Sequence, residues 1–330
     1  MAMASLSFHP PSVTVAGGSA TATAGNVFEM GKFTVGPIEE VGSASTCCLN
    51  CAGRFAPPKP VVIGHPEEDG EFPVVLLMHG YLLCNTFYRQ LIRHIVSHGF
   101  IVVAPQLYTV TCQDTGAEIK ALAAIGEWLP EGLRHYLPAK VSPNLKKLAL
   151  AGHSRGGKVA FAFALALNKS TSSTAPKVSA IIGLDPVDGS RPPILTGVSE
   201  SFDFVSAMPV LVIGSGLGEL QRNPLFPPCG PKGVNHEEFF KECRSPAHYM
   251  VVKDYGHMDL LDDETRGIRG KGSYCMCKNG ESRGPMRSFV GGAVVAFLKA
   301  YLEGKEEDLR AIEDGSLSLP VQLQTLQVRL

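Results

Sequence analysis

The stretch KLALAGHSRGGKVAFAFALAL, residues 147–167, decides how this chain folds. Its opening residues, Lys147–Ala151, are short and apolar and run straight into glycine, as a buried strand does. Its end, Gly157–Leu167, is apolar and long enough for a buried helix. Between them Gly152-His153-Ser154-Arg155-Gly156 fits G-x-S-x-G, the pattern in which a serine stands on a sharp strand-to-helix turn. So tight a turn presses backbone against neighbouring elements, and the two glycines remove the Cβ atoms that would clash. Ser154 then lies at the carboxyl end of its strand, where open α/β sheets place their ligands. A serine here can also be a plain N-cap, but the order strand, turn, helix favours a nucleophile.

Working outward, short β-branched runs alternate with amphipathic segments from Val61 onward, the pattern of a sheet built from βα units. Strands are predicted at Val74–Met78, Phe100–Pro105, Lys147–Ala151, Val178–Leu184, Pro209–Gly214 and Tyr249–Lys253. Being apolar throughout, they suit a mostly parallel sheet with helices on both faces. Helices are predicted over Thr86–His98, Glu118–Leu129, Gly156–Leu167 and Phe289–Leu302, and edge strands within Phe28–Val41 and Pro60–Ile63. The proline- and glycine-rich segment Asn223–Val234 reads as a long surface loop.

Composition narrows the classes. The 330 residues are 45% hydrophobic and 18% charged with a formal charge of −1, an ordinary globular balance without the basic surplus that nucleic acid demands. Lys299 interrupts the longest apolar stretch, Phe289–Leu302, which is too short to span a bilayer and reads as a buried helix. Of nine cysteines, Cys47, Cys48 and Cys51 cluster early and Cys229, Cys243, Cys275 and Cys277 late. Their spacings match no standard zinc arrangement, so disulfides or buried thiols are expected and no metal. Residues 1–25 carry no acid, Lys or Arg, which fits a flexible extension or a transit segment. The expected organisation is that extension, one catalytic domain over 26–310, and a C-terminal tail over 311–330.

A serine hydroxyl needs a base beside it. In this kind of fold the chain order is serine, acid, histidine, which leaves His236, His248 and His257. His248 sits within an apolar strand, and His236 opens a charged helix where a solvated position is expected. His257 follows the last predicted strand through Asp254-Tyr255-Gly256, on the loop where the base belongs. Asp185, at the end of its strand, leads as the acid because a strand end is rigid; Glu219, on the next loop, is the alternative. Asp188, Asp203, Asp254, Asp259, Asp262 and Asp263 read as turn or surface carboxylates. The backbone N–H groups of Tyr81 and Arg155 are the expected oxyanion donors, and His79 reads as a packing residue.

The strings HGFIVVAPQLY (98–108), GHSRGG (152–157), GLDPV (183–187), NHEEFF (235–240) and DYGHMDLLDD (254–263), continued by CKNG, PMR and VVAFLKAYL, together resemble plant chlorophyllases from about Val61 to Glu307. The resemblance implies an α/β-hydrolase that cleaves the phytyl ester of chlorophyll with no cofactor. It implies a triad of Ser154, Asp185 and His257, and the substrate carries its own magnesium. It also leaves two compartments open, the chloroplast or a site outside it such as the cytosol. A phytyl chain and a flat macrocycle need a wide apolar mouth. Leu82, Phe87, Tyr108 and Phe226 are the candidate walls, with Tyr81, Leu83, Leu107 and Leu225 beside them. Peripheral contact with pigment-bearing membranes follows from such a substrate. Two other readings share the scaffold: a general carboxylesterase, lipase or polyester hydrolase, and a non-catalytic binding protein.

Overall fold

A strand that is apolar at every position must be covered on both faces, and this chain meets that demand with two helical layers. The computed structural model describes residues 26–42, 55–108, 114–169, 176–189, 192–204 and 207–330. Among these, one sheet contains β1 (Glu39–Val41), β2 (Val61–Gly64), β3 (Gly70–Met78), β4 (Ile101–Pro105), β5 (Val141–His153), β6 (Val178–Leu184), β7 (Val210–Ser215), β8 (Ala247–Val252) and β9 (Leu323–Arg329). Their spatial order is β1-β2-β4-β3-β5-β6-β7-β8-β9. Strands β3 to β8 run parallel, while β1, β2 and β9 join antiparallel at the edges.

Side chains alternate across each strand, so β3 feeds two cores. Val75 and Leu77 enter one, covered by α1 (Arg89–Ser97) and α6 (Arg283–Leu298). Val74, Leu76 and Met78 enter the other, covered by α2 (Thr115–Gly132), α3 (Arg155–Asn168) and α4 (His236–Glu242). Helix α6 carries Phe289, Val290, Val294, Phe297 and Leu298, all fully buried. Each such side chain contributes roughly 1.5–3 kcal/mol on burial, which makes α6 the main apolar mass of its layer. Among the described residues no helix is long and apolar enough to cross a membrane.

The six predicted interior strands and the edge strands of the opening segment all form. The stretch 311–330 differs from expectation, because it closes the sheet instead of hanging as a tail. After α7 (Glu307–Glu313) buries Leu309 and Ile312, β9 pairs antiparallel with β8, Ala247 opposite Arg329. The Arg329 guanidinium donates to the carbonyls of Phe240 and Cys243 and lies 4.3 Å from the centre of the Phe240 ring. Its exposure pattern is mixed, as an edge strand allows, so it lacks the apolar run that marks the interior strands. The domain therefore runs past residue 310. The 1–25 extension and Cys47, Cys48 and Cys51 lie outside the described residues.

The expected cross-linking takes the form of a Cys229–Cys277 disulfide, with free thiols at Cys84, Cys243 and Cys275. It joins the proline-rich loop after β7 to the turn that follows α5 (Gly267–Cys275).

Candidate active site

At the carboxyl end of β5 the chain bends directly into α3, and Ser154 takes the bend with φ +55° and ψ −121°. A side chain with that backbone is strained, and such strain persists only where the surroundings impose it. Here the Ser154 N–H donates to the Leu184 carbonyl at 3.0 Å, and its own carbonyl accepts from Gly157 and Val187 at 3.0 and 3.2 Å. The flanking glycines are sterically required: a Cβ on Gly152 would lie 2.1 Å from the Gly156 oxygen, and one on Gly156 would lie 2.4 Å from the Met78 oxygen.

Asp185 follows β6 directly and is also held at positive φ, +46°. Its carboxylate is 1% exposed and fully engaged. Oδ1 accepts the Ser215 N–H at 3.1 Å, and Oδ2 accepts the Ser215 hydroxyl at 2.5 Å and His257 Nδ1 at 2.7 Å. Burial pushes this carboxyl up. The His257 hydrogen bond, the field of His257 and His236 and the Ser215 hydroxyl outweigh it and hold Asp185 below the usual carboxylate range. An ionised Asp185 only accepts, so His257 Nδ1 carries the proton and a neutral ring leaves Nε2 as a lone-pair base.

His257 lies on the loop after β8, and its ring centre is 4.8 Å from that of His153, the residue preceding Ser154. Its loop is pinned on several sides. Asp259, 1% exposed, accepts from the N–H groups of Gly256 and Gly280 at 2.7 and 2.6 Å. Asp262 accepts from Arg89 and Gln90 at 3.1 and 2.8 Å, so a negative charge sits on the first turn of α1. These two, and Asp188 ion-paired with the buried Lys158 at 2.7 Å, are buried anchors where turn or surface carboxylates are expected; Asp259 does lie in a turn, but none of the three is a surface group.

Glu219, the alternative acid, accepts from Asn235 at 2.8 Å, while Asp185 holds the ring of His257. His236, expected to be solvated, is buried: its Nδ1 meets the Tyr249 hydroxyl at 2.8 Å and its Nε2 lies 3.7 Å from Asp185 Oδ1. The Asn235 side chain caps α4 by accepting from Glu237, and this turns His236 inward. His248 is buried against Glu313 at 2.5 Å and Tyr301 at 2.6 Å, away from this cluster. His79 is a buried packing and hydrogen-bonding residue, as expected. Burial lowers it to about 4, and the Leu107 N–H donates to its Nε2 at 3.1 Å.

Tyr81 lies in the turn after β3, followed by Leu82 at φ +58°, and Arg155 opens α3 beside Ser154. The Arg155 side chain forms a buried ion pair with Glu118 at 2.8 Å, its guanidinium 6.0 Å from the Tyr81 ring and 5.9 Å from the Tyr108 ring. Among the candidate walls, Leu82 and Tyr108 are part-buried beside this pair, and Phe226 is 37% exposed. Phe87 differs from expectation: at 5% exposure it packs in the α1 and α6 core, as do Leu83 and, in the opposite core, Leu107. The turn Asn85–Tyr88 points the Phe87 ring inward, where burial is worth more than a seat on the rim. Ser215 falls just past the predicted strand Pro209–Gly214, and no local pattern marks its bond to Asp185.

The geometry holds a buried imidazole on an ionised Asp185 and packs its ring against His153, the residue before a serine on a strained turn, and these are the residue types that acyl transfer uses. The chlorophyllase family model matches residues 23–330. Chlorophyllase-2 of Arabidopsis thaliana is 54% identical over 312 residues, covering 92% of this chain and 97% of the relative. Chlorophyllase-1 of the same plant is 44% identical, with 88% of this chain and 89% of the relative covered. A Citrus unshiu protein named chlorophyllase-1, chloroplastic, is 45% identical, with 82% and 81% covered. A family match over nearly all of the chain, on a mostly parallel sheet with a serine elbow at its carboxyl edge, establishes that this protein belongs to the chlorophyllase family of α/β-hydrolases.

Proposed function

We propose that this carboxylic-ester hydrolase cleaves the phytyl ester of chlorophyll to chlorophyllide and phytol. Ser154 attacks the ester carbonyl while Nε2 of His257 takes its proton, and Asp185 holds the ring in the tautomer that leaves Nε2 free. The N–H groups of Tyr81 and Arg155 receive the developing oxyanion. Phytol leaves with the proton from His257, and water, activated by the same nitrogen, releases the acid from Ser154. The observation that carries the reading is the 2.7 Å bond between His257 Nδ1 and a buried, ionised Asp185.

Apolar side chains that could meet such a substrate stand on the loop after β7 and on α5. Leu225 is 84% exposed and Phe226 37% exposed on the loop after β7, and Ile268 is 91% exposed on α5. Exposed apolar side chains of this kind suit a long prenyl alcohol, and they support peripheral contact with a pigment-bearing membrane. The chloroplast is the compartment that the Citrus relatives' names suggest.

Purified protein incubated with chlorophyll will yield a more polar green product. The Ser154→Ala variant will lose that activity by about 10⁴-fold or more while keeping its circular-dichroism spectrum and thermal midpoint. Near-normal turnover in Ser154→Ala would remove the elbow serine from the mechanism.

A further inference from the structure

Behind the proposed catalytic groups runs a buried polar chain whose two ends lie on the two loops that the chemistry must hold in register. The Gly80 N–H meets the Tyr88 hydroxyl at 3.0 Å, that hydroxyl meets His153 Nδ1 at 2.8 Å, and His153 Nε2 meets the His257 carbonyl oxygen at 2.9 Å. Gly80 immediately precedes Tyr81 on the turn after β3, and His257 is the candidate base. Tyr88 and His153 are fully buried, at 0% exposure each.

The chemistry of the ends fixes the direction of every link. A backbone N–H can only donate and a carbonyl oxygen can only accept. The His153 ring, driven down to about 3 chiefly by burial, is neutral and carries a single proton. That proton must sit on Nε2, facing the His257 carbonyl, which leaves Nδ1 as an acceptor. The Tyr88 hydroxyl therefore donates to Nδ1 and accepts from Gly80. Burial also pushes the Tyr88 phenol up, so it keeps its proton. Starting from either end yields the same polarity, so the chain has one arrangement and no frustrated link. Such chains strengthen cooperatively in a dry interior. Gly80 is packed tightly: a Cβ there would lie 2.9 Å from Leu83, 3.2 Å from His153 Nδ1 and 3.2 Å from Ser154 Cβ.

We infer that Tyr88 and His153 are positioning residues that tie the oxyanion turn to the loop of the catalytic base, fixing both against the Ser154 elbow. His153 adjoins Ser154 in sequence, so a shift in either loop is felt at the elbow through one side chain. This inference rests on the catalytic assignment proposed above and adds to it a device outside the triad.

The test uses the full-length protein and a short-chain nitrophenyl ester, whose turnover does not depend on pigment recognition. Tyr88→Phe keeps the buried ring and removes the hydroxyl that joins the two loops. It is expected to lower kcat about 10- to 100-fold, as small misplacements of reacting groups do, with KM changed less than about threefold. The rate constant for inactivation of Ser154 by a sulfonyl fluoride should fall in parallel. That rate constant reads the reactivity of folded molecules and does not change when a variant merely folds less completely. His153→Gln should behave in the same way, and the double variant should lie within about threefold of the poorer single one, since both cut the same chain. If Tyr88→Phe is not recovered folded, the inactivation rate constant of His153→Gln decides. Wild-type kcat and inactivation rate in the folded variants would overturn the inference, as would losses that multiply in the double variant. Ser154→Ala, run alongside, separates the two levels. Retained turnover there sinks the catalytic assignment itself, whereas a dead Ser154→Ala beside a normal Tyr88→Phe sinks only the positioning role.

Discussion

At the residue scale, the two carboxylates weighed for His257 differ in what surrounds them. Asp185 is 1% exposed and has its two oxygens engaged by Ser215 and His257, whereas Glu219 hangs from an exposed loop and accepts from the Asn235 side chain. Asp185→Asn keeps the shape and removes the charge, which lets the neighbouring ring adopt the wrong tautomer. Turnover should fall by about 10⁴-fold, while Glu219→Gln should stay within about threefold of wild type. Steady-state kinetics on one ester would settle the ranking, and the reverse order would move the acid to the later loop. Ser215→Ala should cost less, about 1 kcal/mol or roughly fivefold in kcat, because it removes one of several bonds to the carboxylate. Spacing alone left this contest open in the sequence. Strand-end position and family likeness favoured Asp185, but the partners that keep it ionised come from the loop after β8, from α4 and from β7. Contacts between elements so far apart in the chain leave no local pattern. His236 shows the same limit, since a charged neighbourhood in sequence conceals an inward-facing ring.

At the element scale, the serine elbow was legible because its demands are local: an apolar strand, two glycines where no Cβ fits, and a helix start. The base loop is different, since its position depends on restraints from several elements. Asp259 ties it to residue 280, Asp262 ties it to α1, and the Cys229–Cys277 disulfide anchors the neighbouring segment at a sequence separation of 48. The fit is close, as a Cβ on Gly256 would lie 1.8 Å from the Lys278 oxygen, one residue past Cys277. Cysteine spacing indicated cross-linking but could not pair the partners, because pairing is decided where the two loops meet. A link closing a loop of this length restricts the unfolded chain by about 4 kcal/mol in the entropic picture. Cys229→Ser should therefore lower stability by about 2–4 kcal/mol and reduce kcat severalfold as the base loop loosens. Thermal unfolding with and without a thiol reductant checks this: the reductant should lower the wild-type midpoint to that of the variant and leave the variant unchanged. A wild-type midpoint insensitive to full reduction would show that the hydrogen bonds alone hold the loops.

At the scale of the whole molecule, the alternating two-core architecture followed from the apolar strands, whereas the closing edge strand β9 did not, because half-exposed residues leave no apolar run to find. The same architecture buries histidines that a smaller core would leave wet. His79 and His153 are held neutral inside it, lowered to about 4 and about 3, chiefly by burial. In the unfolded chain each takes up a proton near pH 6.5. Between that pH and their folded values the unfolded state binds more protons, so stability falls as the solution is acidified. Asp185 acts lower down: its depressed folded value gives stability that is present above about pH 3.9, the unfolded carboxyl value, and is lost as pH falls through the folded one. Above pH 5 the histidines carry the effect, and His98, lowered to about 4 chiefly by burial, and His94, lowered for the same reason, act in the same direction. His79 and His153 should by themselves remove about 4 kcal/mol between pH 7.5 and pH 5, a large share of the roughly 5–15 kcal/mol that holds a domain folded. Urea unfolding midpoints across that range will measure the slope, and His153→Gln, which removes one of these groups, should cut the loss by about 2 kcal/mol. A midpoint that stays level from pH 7.5 to pH 5 would mean that these rings reach water or are already charged in the folded protein, and the neutral His153 on which the polarity of the Gly80–His257 chain depends would be lost with it.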